Sequence, residues 1–196
     1  MDVKACIEQR RSVRRYLDGP VAQDLVDEVL EAGRLAPSGG NIQPWRFMVV
    51  RDDAMRQALK ACSYGQQFVA DAPLIIVGCG VLDAYDRVLG KRPDILDPEL
   101  GQGAAIREFQ VKNACVNVSI ALEHMALRAV SLGLATCWVR EFRDYEIPRV
   151  LPLAPNLIVV ALLCQGYPDE SPPARPRKLL SEIVLPVPLE THDRAV

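Results

Sequence analysis

Residues 10–16 read Arg-Arg-Ser-Val-Arg-Arg-Tyr, which places four guanidinium groups and a serine hydroxyl within seven residues. Guanidinium forks match phosphate oxygens two at a time. In an extended segment Arg10, Ser12 and Arg14 share one side, and Arg11, Val13 and Arg15 the other. Taken alone, such a cluster is more ordinarily a solvated charged face. A second stretch, residues 36–47, reads Ala-Pro-Ser-Gly-Gly-Asn-Ile-Gln-Pro-Trp-Arg-Phe. Pro37, Ser38, Gly39, Gly40 and Asn41 are ordinary turn formers and suit a plain helix-to-strand connection. Gln43 and Trp45 add an amide and a ring that could serve as a wall for a flat ligand, although such a Trp is more often a core residue than a ligand wall. An anion site and a bed of short hydrogen-bonding groups are what a phosphorylated, planar, polar-edged ligand needs.

The pattern around these stretches predicts the elements that position them. Asp2 caps a short helix to about Gln9. Arg10–Leu17 runs extended into a turn at Asp18, Gly19 and Pro20. Val21, Leu25, Val29 and Leu30 recur at helical spacing, and that helix stops before Pro37. Arg46–Val50 reads as a strand, Asp53–Ser63 as a helix, and Leu74–Cys79 as a strand covered on both faces. Arg107–Leu132 lacks Gly and Pro. Val111, Val118, Met125 and Leu132 recur there with Cys115, Leu122 and Ala129 between them, the seam of a long central helix that Gly133 ends. Thr136–Val139 and Leu157–Cys164 read as strands. Residues 80–105 carry scattered Gly and Pro and are expected to form a lid-like, partly helical excursion outside the core. After Gly166-Tyr167-Pro168 a proline-rich arm runs extended, and Ile183–Val187 closes as an edge strand. Alternating strands and helices around one sheet give an α/β or α+β class.

Composition narrows the function. The chain has 196 residues and a formal net charge of −2, which gives no general affinity for nucleic acid or an anionic membrane. No run of apolar residues reaches a membrane span. The six cysteines are scattered without Cys-x-x-Cys, several in apolar runs, and read as free thiols rather than disulfides or metal ligands. With no leader pattern at the N-terminus, a cytoplasmic location is expected. Two histidines leave a His-based metal site or a Ser-His-Asp triad poorly supported. Gly78-x-Gly80 follows a strand, but Asp83 stands where a dinucleotide fingerprint needs its third glycine.

The order Arg-Arg-Ser-Val-Arg, then Ala-Pro-Ser-Gly-Gly-Asn-Ile-Gln-Pro-Trp, then Gly133-Leu134-Ala135-Thr136-Cys137-Trp138 resembles the nitroreductase family of FMN-dependent oxidoreductases. Gly166-Tyr167-Pro168 and Arg175-Pro176-Arg177-Lys178 resemble its C-terminal arm. The resemblance implies an α+β, three-layer fold. A mixed sheet is flanked by helices in an intertwined homodimer with exchanged arms. Residues 1–166 would form the FMN-binding domain and residues 167–196 the arm and edge strand. It further implies that Arg10, Arg11 and Ser12 meet the FMN phosphate and ribityl chain, with Arg177, and Arg175 beside it, returning to the phosphate. Arg14 would stand at the flavin ring edge as an electrostatic stabiliser. Pro37, Ser38, Gly39, Asn41 and Gln43 would reach the flavin from the partner subunit. Backbone at Trp138, Val139 and Arg140 would approach the ring, with Gln66 and Gln67 as weaker matches. Arg140 departs from the Gly of many relatives, and Asn117 stands where an acidic residue is common.

The implied reaction is ping-pong. NADH or NADPH delivers hydride to FMN, which reduces a nitroaromatic, a quinone or a similar conjugated small molecule, with no acid–base side chain and no metal. The alternatives are reductive dehalogenation, flavin-fragmenting chemistry or a non-enzymatic FMN-binding dimer.

Overall fold

A computed structural model describes residues 1–96, 99 and 101–185 of the chain. The helices are α1 (Val3–Gln9), α2 (Gln23–Arg34), α3 (Asp53–Cys62), α4 (Gln67–Asp71), α5 (Asp86–Lys91), α6 (Gln102–Ser131), α7 (Ile147–Val150) and α8 (Leu180–Ile183). The strands are β1 (Trp45–Val50), β2 (Leu74–Val81), β3 (Ala135–Val139) and β4 (Leu157–Gly166). Local signals set several boundaries. The Asp2 carboxylate accepts from the Ala5 N–H at 2.8 Å, and the Asp52 carboxylate from the Met55 N–H at 2.8 Å, capping α1 and α3. Gly133, at φ +78°, ends α6 in the left-handed conformation that favours glycine.

Among the described residues the strands form one sheet in the order β1-β2-β4-β3. Every ladder is antiparallel, where a mixed sheet was expected. The reason is topological. β2 and β3 run in the same direction across the α6 crossover, but β4 returns between them. The parallel contact that remains is an isolated bridge between Ser12 and Thr136.

The sheet is covered on both faces, giving three layers. On one side α2 and α6 bury Val26, Val29, Val118, Leu122 and Met125 against Leu74, Ile76, Ala161 and Leu163. On the other, α3, α4 and α7 bury Leu59, Val69 and Ile147 against Ile75, Val77, Leu162 and Cys164. α6 seats directly on β2. A Cβ at Gly78 would lie 2.7 Å from Leu122 Cδ1, and one at Gly80 2.7 Å from Ala114 Cβ. These glycines clear the path of the helix.

Two expectations change. Residues 80–105 are partly helical, but their two ends belong to the core: β2 continues to Val81, and Leu82, Tyr85 and Ala105 are buried, while the described residues from 90 to 104, Pro93 aside, are exposed or half-buried. The edge strand at Ile183–Val187 is not formed in the described part. Ile183 ends α8, and no ladder among the described residues offers it a partner, while residues 186–187 lie outside the described residues. All six cysteines are free thiols, five of them buried. No helix of the described residues is long and apolar enough to cross a membrane.

Candidate functional site

The segment after α1 is laid along the sheet by a few backbone bonds. The Val13 N–H donates to the Thr136 carbonyl at 3.1 Å, and the Leu17 N–H to the Tyr167 carbonyl at 2.9 Å. Tyr16 forms an isolated bridge with Pro168. Its hydroxyl donates to the Val13 carbonyl at 2.7 Å. Burial pushes the Tyr16 phenol far above its usual range, so it remains a donor. These bonds bring the start of the chain beside the start of the arm.

Glu170 then fastens the arm. Its carboxylate accepts from the Arg14 N–H at 2.6 Å and the Arg15 N–H at 3.3 Å, and pairs with Arg15 Nε at 3.3 Å. The Arg14 N–H, the strongest of several influences, holds the Glu170 carboxyl below the usual glutamate range. The Asp169 N–H donates to the Arg15 carbonyl at 3.0 Å. So anchored, the arm returns Arg175 and Arg177 over the N-terminal segment.

The result is a cavity of about 320 Å3 lined by Arg10, Arg11, Ser12, Arg14, Arg175 and Arg177, together with Glu170 and two arm prolines. The lining thus holds five arginines and one carboxylate, and that carboxylate is already occupied by backbone donors and Arg15. The donor set fits a phosphate. Arg11 shares the cavity although strict alternation places it opposite Arg10. The segment has no continuous ladder, and the Arg11 guanidinium folds back onto the Glu8 and Arg10 carbonyls at 2.7 and 2.8 Å. Val13 follows the alternation and is buried.

Around this cavity Arg10 lies 3.8 Å from Glu123 of α6. Burial raises the Glu123 carboxyl, while Arg10 and a side-chain hydrogen bond with Trp138 oppose the rise. The Arg14 guanidinium sits over the Phe68 ring, 5.3 Å from its centre. On β3, Val139 is buried and Trp138 packs toward α6. Gln66 donates to the Ser63 and Glu141 carbonyls at 3.1 and 3.2 Å, and Gln67 is taken up by Lys60 and Asp71.

The Pro37–Gln43 turn lies elsewhere: none of its residues lines the arginine cavity. Asn41 and Gln43 adopt φ of 53° and 51°, left-handed conformations uncommon for side-chain-bearing residues. The turn is held from within and from α6. The Ser38 hydroxyl accepts from the Gln43 N–H at 2.9 Å. Asn117 Oδ1 accepts from the Gly39 N–H at 3.2 Å, while Asn117 Nδ2 donates to the Tyr85 hydroxyl at 3.0 Å and the Asn113 carbonyl at 2.8 Å. Trp45 is a core residue.

A second cavity, of about 430 Å3, opens where β4 outruns its neighbour. β3 pairs with β4 only over Leu162–Gly166, so the edge of Leu157–Val159 is free of β3. Arg107, Val111 and Cys115 of α6, Arg140 and Asp144 after β3, and Leu153 complete its walls. Arg140 pairs with Asp144 at 3.7 Å and lies over the Phe142 ring.

Glu123, Glu170 and Phe68 escape a reading of the sequence for site residues, and Asn117 stands out there only as a departure from the acidic residue common in relatives. Of the first three, only Glu170 leaves a trace there, as an acid directly after the Gly-Tyr-Pro turn.

A profile of the Nitroreductase family matches residues 7–167, and the chain belongs to that family. It is 31% identical over 196 residues to a protein named NADH dehydrogenase from Thermus thermophilus, covering 94% of this chain and 96% of that one. It is 27% identical to the FMN reductase [NAD(P)H] of Bacillus subtilis, covering 90% of this chain and 70% of the relative. The solved structure of NADPH:FMN oxidoreductase from Vibrio harveyi, complexed with NAD+, shares the fold at a TM-score of 0.77 with 23% identity, covering 94% of this chain and 76% of the other.

Proposed function

We propose that this protein is an FMN-dependent NAD(P)H oxidoreductase that passes reducing equivalents to a conjugated small-molecule acceptor by a ping-pong route. The observation that carries the reading is the arginine cavity: five arginines and Ser12, from two distant parts of the chain, line one space. The family membership and the FMN- and NAD(P)H-using relatives support the same cofactor.

Arg10, Arg11, Ser12, Arg175 and Arg177 would hold the FMN phosphate, and Arg14 would stand toward the ring. FMN, when bound, supplies the redox chemistry, accepting hydride from NAD(P)H and returning two electrons to the acceptor. The chain's own part is positioning and charge. Glu170 keeps the arm over the cavity, so the phosphate ligands are assembled before the cofactor arrives. Phe68 restrains the Arg14 guanidinium, which would then place a fixed positive charge where negative charge grows on reduction. The Pro37–Gln43 turn, with Pro37, Ser38, Gly39, Asn41 and Gln43, would serve the cofactor of a second copy in a homodimer. Backbone at Trp138, Val139 and Arg140 would border the ring.

The test is direct. The purified protein should be yellow, and cofactor-stripped protein should quench FMN fluorescence on titration. Flavin-free protein that neither binds FMN nor oxidises NADH or NADPH with FMN present refutes the reading.

A further inference from the structure

We infer that the second cavity, between α6 and the free edge of β4, binds a planar aromatic monoanion, which makes the acceptor of this enzyme a carboxylated or comparably charged ring. The inference rests on the proposed reading, because it names the substrate class of that enzyme.

Three observations converge. The first is shape. The cavity holds about 430 Å3, at the low end of small-molecule sites, which span roughly 300–1,000 Å3. The second is its floor. Val111, Leu153, Leu157 and Ile158 form an apolar bed suited to a ring. The third is the charge at the rim. Arg107 and Arg140 both line the cavity. Arg107 forms no ion pair among the described residues, whereas Arg140 pairs loosely with Asp144 at 3.7 Å. Two guanidinium groups against one carboxylate leave one positive charge in excess at the mouth of an apolar space. That complement favours a ring with a single negative charge over a neutral ring, which leaves Arg107 unused. It also favours the monoanion over a multiply charged pyrophosphate, which meets Asp144.

The position suits the same role. Arg140 follows β3 directly, two residues after Trp138, so the cavity begins where the proposed ring-facing backbone ends. Arg140 therefore acts here as a specificity residue, with its charge held by the Phe142 ring beneath it.

The probes are benzoate and benzamide, which share a ring and differ in charge. Calorimetric titration into the FMN-loaded protein should show benzoate binding about tenfold or more tightly than benzamide, the scale of one charge-assisted contact. Arg107→Gln and Arg140→Gln should each reduce that preference and leave benzamide binding where it was. Raising the salt concentration should weaken benzoate alone. Equal binding of the two probes, or no binding of either, overturns the inference. So does a preference that survives both substitutions and disappears in Arg177→Gln, because the anion then sits among the phosphate arginines. A protein that holds FMN and oxidises NAD(P)H but shows no benzoate preference refutes this inference alone. One that holds no FMN refutes the reading beneath it.

Discussion

Replacing Asn117 by Leu should destabilise the protein by about 1–3 kcal/mol, and the structure says which of three lost hydrogen bonds is responsible. Asn117 is 7% exposed and its amide is fully used. The Gly39 N–H it receives belongs to an exposed residue, so water can replace Asn117 there at little cost. The Asn113 carbonyl lies one turn back on α6 and keeps its helical partner. The Tyr85 hydroxyl is different. Tyr85 is 2% exposed, and among the described residues its hydroxyl meets Asn117. In the Asn117→Leu protein that hydroxyl is left buried and unpaired, and the cost is that of an orphaned polar group. The reasoning therefore predicts strong coupling. Tyr85→Phe in the Asn117→Leu background should recover most of the loss, because removing both partners leaves no orphan. Denaturant unfolding of the wild type, both single variants and the double variant measures this as a cycle, with a coupling of about 0.5–3 kcal/mol. The turn should loosen in both proteins that carry Asn117→Leu, so FMN affinity should stay low even where stability returns. Additive unfolding free energies, or an Asn117→Leu protein with an unchanged midpoint, would refute the argument.

Charge at the two parts of the cofactor site should separate in the same way. Arg177→Ala should weaken FMN binding by about 1.5–3 kcal/mol, tenfold or more by fluorescence titration, and leave the midpoint potential of bound FMN unchanged. Arg14→Ala should lower that potential, since the reduced ring loses a nearby positive charge; an unchanged potential removes Arg14 from the ring. Glu170 gives a pH dependence. Its carboxyl is held below the usual range when folded, so its stabilisation of the arm is complete above the ordinary glutamate range and is lost as pH falls through the lowered value. FMN release on acidification should follow that loss, and Glu170→Gln should weaken FMN at neutral pH and flatten the acid limb. Truncation after Pro173 removes Arg175, Arg177 and the exposed Leu179–Leu185 segment; light scattering should show twice 21.7 kDa for the full chain and a monomer for the truncated one.

What the sequence made legible follows from where the chemistry lies along the chain. The arginine cluster is contiguous, so its density is visible without a fold. α6 is visible because a long seam without Gly or Pro has few alternatives, although the helix begins at Gln102, five residues before the seam suggested. Glu170 is hidden because its partners are backbone N–H groups 156 and 155 residues away, which carry no side-chain signature. The role of Gly78 and Gly80 is hidden for a related reason. Their spacing suggests a phosphate loop, but their use is clearance for Leu122 and Ala114, a property of a crossing helix. The antiparallel sheet is hidden too, because nothing local announces that β4 inserts between β2 and β3.

The geometry of α6 bears on why one chain holds only part of the proposed site. Glu123, which meets Arg10 beside the phosphate cavity, and Asn117, which grips the Gly39 turn, stand on this one helix. Six residues separate them, about 9 Å along the axis and about 120° around it. A helix packed against β2 without even the space of a Cβ at Gly78 cannot rotate to bring those sides together. The turn is therefore fixed on a different side of α6 from the arginines of its own chain. Swinging it across would break the Asn117 bonds and the paired Ser38–Gln43 contact that hold Asn41 and Gln43 in their uncommon conformations. If both halves touch one FMN, as proposed, the turn must come from a second copy. The exposed Val116 of α6 and the Leu179–Leu185 segment provide apolar surface for that contact. A protein that binds FMN at full affinity as a monomer would break this chain of reasoning at its last link.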